Sequence, residues 1–217
     1  MTRTFFRATL MQALTAAGAT PPGTAIDMAA EQLAAHYGEP VRAYHNDRHI
    51  RDLCNGLAEC DECTRLKPAL QLAILYHDVI YNPRRADNET ASAAFAVSAL
   101  SALGVARPIV SRTADLIRAT QHGVAALDPS DSECALLLDL DLAILGAPVD
   151  AYRTYTAAIR QEYAHVPEPQ FRAGRSRVLQ IFLAMPAIYR TPRCSARYEA
   201  QARVNLDAEH AALIEPA

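Results

Sequence analysis

The stretch from Leu72 to Tyr81, LAILYHDVIY, constrains the fold more than any other part of the chain. Its first five residues are all apolar, which is typical of a helix that is buried on every side. The run then places an imidazole directly beside a carboxylate, at His77 and Asp78. Burying even a neutral polar group without a partner costs about 2–7 kcal/mol, and an unpaired carboxylate costs more. We therefore expect the fold to supply a cation at Asp78.

Helical periodicity dominates the rest of the chain, and the two-residue alternation of amphipathic strands is almost absent. A third helix is predicted to begin near Asn46 or Asp47, which are both good N-cap residues. A fourth is predicted to begin at Pro68, to carry His77 and Asp78, and to end at Asn82-Pro83. The last two helices are predicted at about Phe171 to Tyr189 and Ala196 to Leu213. Together these signals predict an all-α bundle of roughly eight to ten helices.

The length of 217 residues, of which 51% are hydrophobic, suits a single domain with a packed core. The net charge of -3 opposes binding to a nucleic-acid polymer or to an acidic membrane. The apolar run from Ala91 to Ala106 is shorter than a membrane span and contains three serines. The N-terminal stretch mixes apolar residues with Thr and Gln, as an amphipathic helix does and a signal peptide does not. We expect a cytoplasmic protein without membrane contact.

Two histidines lie four residues apart in the stretch YHNDRHI, at positions 45 and 49. On a helix, this spacing puts His45 and His49 on the same face about one turn apart. The two rings could then share a metal ion, or one could bind the metal while the other faces a substrate. Surface histidines also reach this spacing by chance, so the pair alone does not distinguish a functional site from two unrelated surface residues.

Two carboxylates, Asp139 and Asp141, interrupt the otherwise apolar run LLLDLDLAILG. Charged residues are rarely fully buried unless they are paired. Because the two are separated by two positions, they cannot both face the same direction on a helix. We expect one to reach a functional site and the other to orient a neighbour or cap a turn. A surface helix with both carboxylates solvated is the alternative, which the surrounding leucines oppose.

Taken in order, His49, the pair His77-Asp78 and a distant aspartate form the pattern H…HD…D. This pattern resembles the signature of the HD superfamily of metal-dependent phosphohydrolases, and the chain is similar to a bacterial group of predicted members. The similarity covers about Tyr37 to Leu206. The strings that carry it are YGEPVRAYHN, YHDVIY, DNETASA, ATQHG, DLDLAILGA, IRQEY and GRSRVL. The first string also resembles the HNxxH motif of cyclic-nucleotide phosphodiesterases.

The resemblance implies an HD-domain helical bundle that forms a single HD-type domain over residues 1–217. Its core would lie at about 37–147, with C-terminal helices at about 151–213 packed on it. Four residues would be the metal ligands: His49, His77, Asp78 and Asp141. Asp139 competes with Asp141 for the last of these positions, and otherwise joins the catalytic residues.

The resemblance also implies roles around the metal. His45 matches the phosphodiesterase histidine that protonates the leaving oxygen, and Glu89 resembles an acidic residue near the attacking water. On the substrate side, His122 falls where some members bind a second metal. Arg160 and Arg175 are candidates for holding phosphate oxygens. The alternative for both arginines is an ordinary ion pair on a helix surface, with a neighbour such as Glu162.

This ligand set suits one divalent ion, which could be Mn, Fe, Ni, Co, Mg or Zn, and it leaves a second metal open. Such an ion lowers the pKa of water to about 7 in the best cases, which makes water a nucleophile near neutral pH. The expected activity is therefore hydrolysis of a phosphate ester, on a nucleotide or a small phosphorylated metabolite. A homodimer is compatible with this function.

Two other functions are compatible with an HD fold. Some HD-fold proteins hold a di-iron centre and act as oxygenases, which requires more histidines than are obvious in this chain. A non-catalytic module that binds a nucleotide and regulates a partner is the second alternative. An intact H…HD…D set opposes it, because a pure binding module has no need of a complete metal cage.

Overall fold

The computed structural model describes residues 2–61, 67–121 and 130–214. Within these ranges the chain forms ten α-helices and one short 3₁₀ helix, without a strand, which confirms the all-α prediction. None of the described helices is long and apolar enough to span a membrane. The helices are α1 (Thr2–Ala16), α2 (Gly23–Tyr37), α3 (Asp47–Ala58), α4 (Pro68–Tyr76), α5 (Asn88–Ala102), α6 (Arg107–Ala119), α7 (Ser132–Asp141), the 3₁₀ helix (Leu142–Gly146), α8 (Val149–Glu162), α9 (Glu168–Ala184) and α10 (Pro192–Ile214).

The chain divides into two compact units, Met1–Leu137 and Leu138–Ala217. Helices α1 to α6 belong to the first unit, and the 3₁₀ helix and α8 to α10 belong to the second. Helix α7 crosses the boundary between them. The prediction of a single HD-type domain over residues 1–217 stays a prediction.

The first unit is built around α4. Every residue of this helix after Pro68 is buried, and the helix packs against α1, α3, α5 and α6. A helix that is apolar on all sides can be stable in water only as the centre of such a layer. The Tyr37 hydroxyl of α2 adds a hydrogen bond to the carbonyl oxygen of Leu75, at 3.1 Å. As a result, the C-terminal end of α4, which leads into His77, is held firmly in the core.

Helix α3 begins where its capping residues predict. Asn46 is the N-cap, and its side-chain oxygen accepts a hydrogen bond from the backbone N–H of Arg48 at 2.9 Å. A side-chain cap of this kind typically stabilises a helix by about 1 kcal/mol. The helix buries His49, Ile50, Leu53 and Leu57 on one face. His49 therefore lies on the core side of α3.

The two C-terminal helices differ from their predicted bounds. Helix α9 ends at Ala184, five residues before the predicted end, because Met185 has an extended backbone and Pro186 follows it. Helix α10 begins at Pro192, four residues before the predicted start. The Thr191 hydroxyl caps it by accepting from the backbone N–H of Cys194 at 3.3 Å. The predicted bounds were wrong because periodicity alone does not show a cap.

The 3₁₀ helix of the second unit lies very close to α10. A Cβ added at Gly146 would lie 2.5 Å from the Cβ of Tyr198 and 2.6 Å from its carbonyl oxygen. Beside this contact, the Asn205 side chain donates to the carbonyl oxygens of Leu145 and Ala147, each at 2.8 Å. Only glycine allows the two backbones to approach this closely.

Candidate metal centre

Three of the predicted ligands converge in the first unit. The Nε2 atoms of His49 and His77 lie 3.2 Å apart. The Oδ2 atom of Asp78 lies 3.2 Å from Nε2 of His77 and 3.6 Å from Nε2 of His49. Helix α3 supplies the first of these residues, and the turn directly after α4 supplies the other two. These three side chains form the ligand triad.

The spacing of the triad fits a divalent metal ion. The three ligand atoms form a triangle whose centre lies about 1.9 Å from each of them. This distance is close to the length of zinc bonds to nitrogen and oxygen ligands, which is about 2.0–2.2 Å. Two imidazole nitrogens and one carboxylate oxygen are also a donor set that divalent transition metals accept. The residues present therefore fit the metal that the motif implies.

The orientation of the His77 ring supports the same role. Its Nδ1 lies 3.1 Å from the carbonyl oxygen of Ile74. A carbonyl can only accept a hydrogen bond, so in the neutral ring Nδ1 carries the proton and Nε2 presents a lone pair. Metal-binding histidines are commonly held in this way by a hydrogen bond from the other ring nitrogen. The lone pair of His77 consequently faces His49 and Asp78.

Asp78 is charged at neutral pH although the site is buried. The side chains of His49 and His77 are 2% and 1% exposed, and that of Asp78 is 16% exposed. Burial raises the pKa of Asp78, but the positive charge of the neighbouring imidazoles in their protonated form, that of His77 first and then those of His45 and His49, lowers it further, so the net pKa is below its usual range. When the His77 ring is neutral, its lone pair and the Asp78 oxygen face each other at 3.2 Å and repel, and either a proton on the ring or a cation between the two atoms removes this repulsion.

His45 lies beside the triad, but not by the predicted route. Helix α3 begins at Asp47, so His45 is not on the helix and the argument from four-residue spacing is wrong for it. Its ring instead stacks on Tyr81, with centroids 4.3 Å apart, and lies 5.9 Å from the ring of His49. The ring of Tyr44 approaches His49 from 4.9 Å. One tyrosine ring thus contacts each of these two imidazoles.

Arg42 is the residue near the site that the sequence interpretation missed. Its side chain is fully buried, and its guanidinium donates to the carbonyl oxygens of His45, Asp78 and Val79 at 2.7–3.0 Å. No periodicity marks it, because it lies in an irregular segment between α2 and α3. Its only signal was its presence in the string YGEPVRAYHN, which also carries the resemblance.

Asp139 has a capping role in the second unit. Its carboxylate is fully buried and accepts hydrogen bonds from the backbone N–H groups of Arg190 and Thr191, at 2.8 and 2.7 Å. It also accepts from the Thr191 hydroxyl at 2.6 Å. Both oxygens of Asp139 are thus used at the start of α10. Asp141 is the last residue of α7, and its role as the fourth ligand stays a prediction.

The remaining predicted residues lie in different places. Glu89 is half-buried in the first turn of α5, and its role near the attacking water stays a prediction. His122 lies outside the described residues. Arg160 donates to Glu168, rather than to Glu162, and to the carbonyl oxygens of Tyr163 and Val166.

Arg175 pairs with an acid of its own unit. It donates to both carboxylate oxygens of Glu209, at 2.7 and 3.0 Å, and to the Tyr155 hydroxyl at 3.3 Å. The Tyr152 hydroxyl also donates to Glu209. These contacts connect helices of the second unit, and phosphate binding by Arg160 and Arg175 stays a prediction.

Comparisons of the chain with protein-family models, with curated proteins and with solved structures find no match. The resemblance to the HD superfamily therefore depends on the motif residues themselves. Three residues of that motif, His49, His77 and Asp78, lie together within the described part of the chain.

Proposed function

We propose that this protein is a metal-dependent phosphohydrolase that cleaves a phosphate ester of a nucleotide or a small phosphorylated metabolite. The observation that carries the proposal is the ligand triad, in which two imidazole nitrogens and a carboxylate oxygen lie 3.2–3.6 Å apart. A buried carboxylate in such surroundings calls for a positive charge. Asp141 is proposed as a fourth ligand on the strength of the motif.

The chemistry divides between the metal and the surrounding side chains. A divalent ion, when bound, would supply a Lewis acid and lower the pKa of water. His49, His77 and Asp78 would hold it, and the hydrogen bond to the Ile74 carbonyl keeps Nε2 of His77 turned toward the other two residues. We assign His45 the transfer of a proton to the departing alkoxide, because its ring lies beside His49 without belonging to the triad. A positioned acid typically contributes 10²–10⁴-fold in rate.

A panel of phosphate esters tests the proposal. The purified protein is assayed after treatment with a chelator, and again after Mn²⁺, Ni²⁺, Co²⁺, Mg²⁺ or Zn²⁺ is restored. We expect hydrolysis to disappear with the chelator and to return with at least one of these ions. Protein that binds none of them and cleaves no ester would contradict the proposal. Two irons per chain would favour the oxygenase instead, and nucleotide binding without metal would favour the regulatory module.

Removal of a triad ligand should abolish both metal binding and activity. We expect His77→Ala and Asp78→Ala to weaken Mn²⁺ binding at least about 100-fold in isothermal titration calorimetry, because each removes a direct ligand of the proposed metal site. The matched control is His210→Ala, since His210 accompanies Gln180 in the second unit and is no part of the triad. Equal Mn²⁺ affinity in His77→Ala and His210→Ala would remove the triad as the metal site.

Substitution of His45 should separate chemistry from binding. His45→Ala is expected to keep its Mn²⁺ affinity within about threefold and to lose about 100-fold or more in kcat, because the acid is gone and the ligands remain. Steady-state kinetics on the best ester of the panel measures this. Unchanged kcat in His45→Ala would take the acid role away from this residue.

A further inference from the structure

One buried guanidinium joins the segment that carries His45 to the turn that carries Asp78. Nη1 of Arg42 donates to the carbonyl oxygen of His45 at 3.0 Å and to that of Asp78 at 2.7 Å. Nη2 donates to the carbonyl oxygen of Val79 at 3.0 Å. The contact at position 45 is with the main chain, so it fixes the backbone of His45.

The orientation of the Arg42 guanidinium is fixed from its other sides as well. Nε donates to the Glu39 carboxylate at 3.1 Å. The rings of Tyr37 and Tyr81 lie 5.1 and 5.4 Å from its central carbon, within the range of cation–π attraction. Tyr81 is also the ring on which His45 stacks. Because a carboxylate and two aromatic rings hold the planar guanidinium of Arg42, its remaining N–H groups point in fixed directions.

We propose that Arg42 is a positioning residue that fixes the distance and orientation of His45 relative to Asp78. This role rests on the proposed function, because it requires that Asp78 binds the metal and that His45 is the acid. Main-chain carbonyls from two separate segments converge on one guanidinium, and these segments carry the two groups that have to be aligned for proton transfer at the metal. Residues that orient metal ligands typically change metal affinity or activity by about 10–100-fold when they are replaced.

Arg42→Lys tests the role while keeping the positive charge. An ammonium group is a compact donor and cannot reproduce the planar fork that reaches three carbonyls. We expect Mn²⁺ affinity to fall about 10-fold in calorimetry and kcat to fall about 10-fold, with KM within threefold. The control is Arg203→Lys, because Arg203 likewise donates to one carboxylate, Glu199, and to three main-chain carbonyls, in the second unit. Arg203→Lys should leave Mn²⁺ affinity unchanged.

A double-mutant cycle separates positioning from general stabilisation. If Arg42 acts on turnover through His45, Arg42→Lys should lower kcat little further in a His45→Ala background. Full additivity of the two losses in kcat would overturn the proposal. Because Arg42 is fully buried, Glu39→Gln serves as a milder second variant; it removes the half-exposed carboxylate that anchors Nε and should lower Mn²⁺ affinity about threefold.

The outcomes distinguish this proposal from the proposed function. Wild-type Mn²⁺ affinity in both Arg42→Lys and Glu39→Gln overturns the positioning role, and if Arg42→Lys does not fold, wild-type affinity in Glu39→Gln overturns it alone. Wild-type protein that binds Mn²⁺ but cleaves no ester overturns the hydrolase, while the affinities still decide the role of Arg42. Wild-type protein that binds no metal overturns both.

Discussion

Two acidic side chains of this protein are buried to nearly the same extent but meet opposite surroundings. Asp78 in the first unit is 16% exposed and Glu209 in the second unit is 14% exposed. Glu209 is neutralised by the two parallel hydrogen bonds from Arg175. Asp78 instead faces Nε2 of His77 and Nε2 of His49. Burial is thus shared, and the partner is what differs.

The difference shows which kind of buried acid indicates a functional site. A carboxylate that meets a guanidinium in a two-point contact already has its counter-charge from the fold. A carboxylate that meets imidazole nitrogens, one of them oriented by the carbonyl of Ile74, has no permanent counter-charge and is satisfied when an imidazole gains a proton or when a cation joins the cluster. Strong burial of an acid is therefore not enough by itself to assign chemistry.

The largest expected effect concerns stability in the second unit. Glu209→Gln should lower the free energy of unfolding by about 3 kcal/mol, because it leaves the largely buried Arg175 without its counter-charge. Urea denaturation measures the loss, which should be the same with Mn²⁺ and with a chelator. Asp207→Asn, at an exposed position of the same helix, is the control and should change stability by less than about 0.5 kcal/mol. If the loss of stability in Glu209→Gln depended on Mn²⁺, the contrast between Glu209 and Asp78 would be wrong.

A smaller effect is expected from metal at the first unit. Mn²⁺ at 100 times its dissociation constant should stabilise the wild-type protein by about 2.7 kcal/mol, since it binds the folded triad and not the unfolded chain. Thermal denaturation with and without Mn²⁺ should show the same gain in Glu209→Gln, and almost none in Asp78→Asn. An equal gain in Asp78→Asn would mean that the stabilising ion binds elsewhere.

The smallest expected effect, the change in stability of Asp78→Asn without metal, is the sharpest test of the difference between Asp78 and Glu209. In the presence of a chelator, Asp78→Asn should change the free energy of unfolding by less than about 1 kcal/mol, because the amide can donate to an imidazole nitrogen that the carboxylate repels. The corresponding change at Glu209 costs several times more. Urea denaturation of both variants in the same buffer gives the ratio, and a loss in Asp78→Asn as large as that in Glu209→Gln would show that the two acids are alike.

The parts of the fold that could be predicted are those in which local signals decide. Helix α4 was predictable up to Tyr76 because its apolar run leaves no polar face, and the start of α3 because Asn46 is a good cap. The predicted end of α4 at Asn82-Pro83 was wrong, because the helix ends at Tyr76 and His77 and Asp78 lie in the turn after it. The motif predicted that His49, His77 and Asp78 belong to one site, and these three residues lie together in the structure. In each case the necessary information lies within a few neighbouring residues or in a known spacing.

The rest depends on partners that are distant in the sequence. The cap of α10 is set by Asp139, which precedes Thr191 by 52 residues, and no local pattern connects them. Arg42 donates to the carbonyl of Asp78, which is 36 residues away, from a segment that shows neither helical nor strand periodicity. His45 reaches the site through its stacking on Tyr81 and not through a helical face. Long-range contacts of this kind are formed by the tertiary structure and are not encoded in local propensity.

The contact at Gly146 also restricts how this chain can diverge. Any side chain at this position would push into the backbone of Tyr198, so descendants of the same ancestor must either keep glycine there or move α10 as a body. Seven residues earlier, Asp139 and Thr191 are coupled in a similar way, because a change at Asp139 would leave the N–H and the hydroxyl of Thr191 without their acceptor. Positions 139, 146 and 191 therefore constrain the second unit independently of the ligand triad in the first.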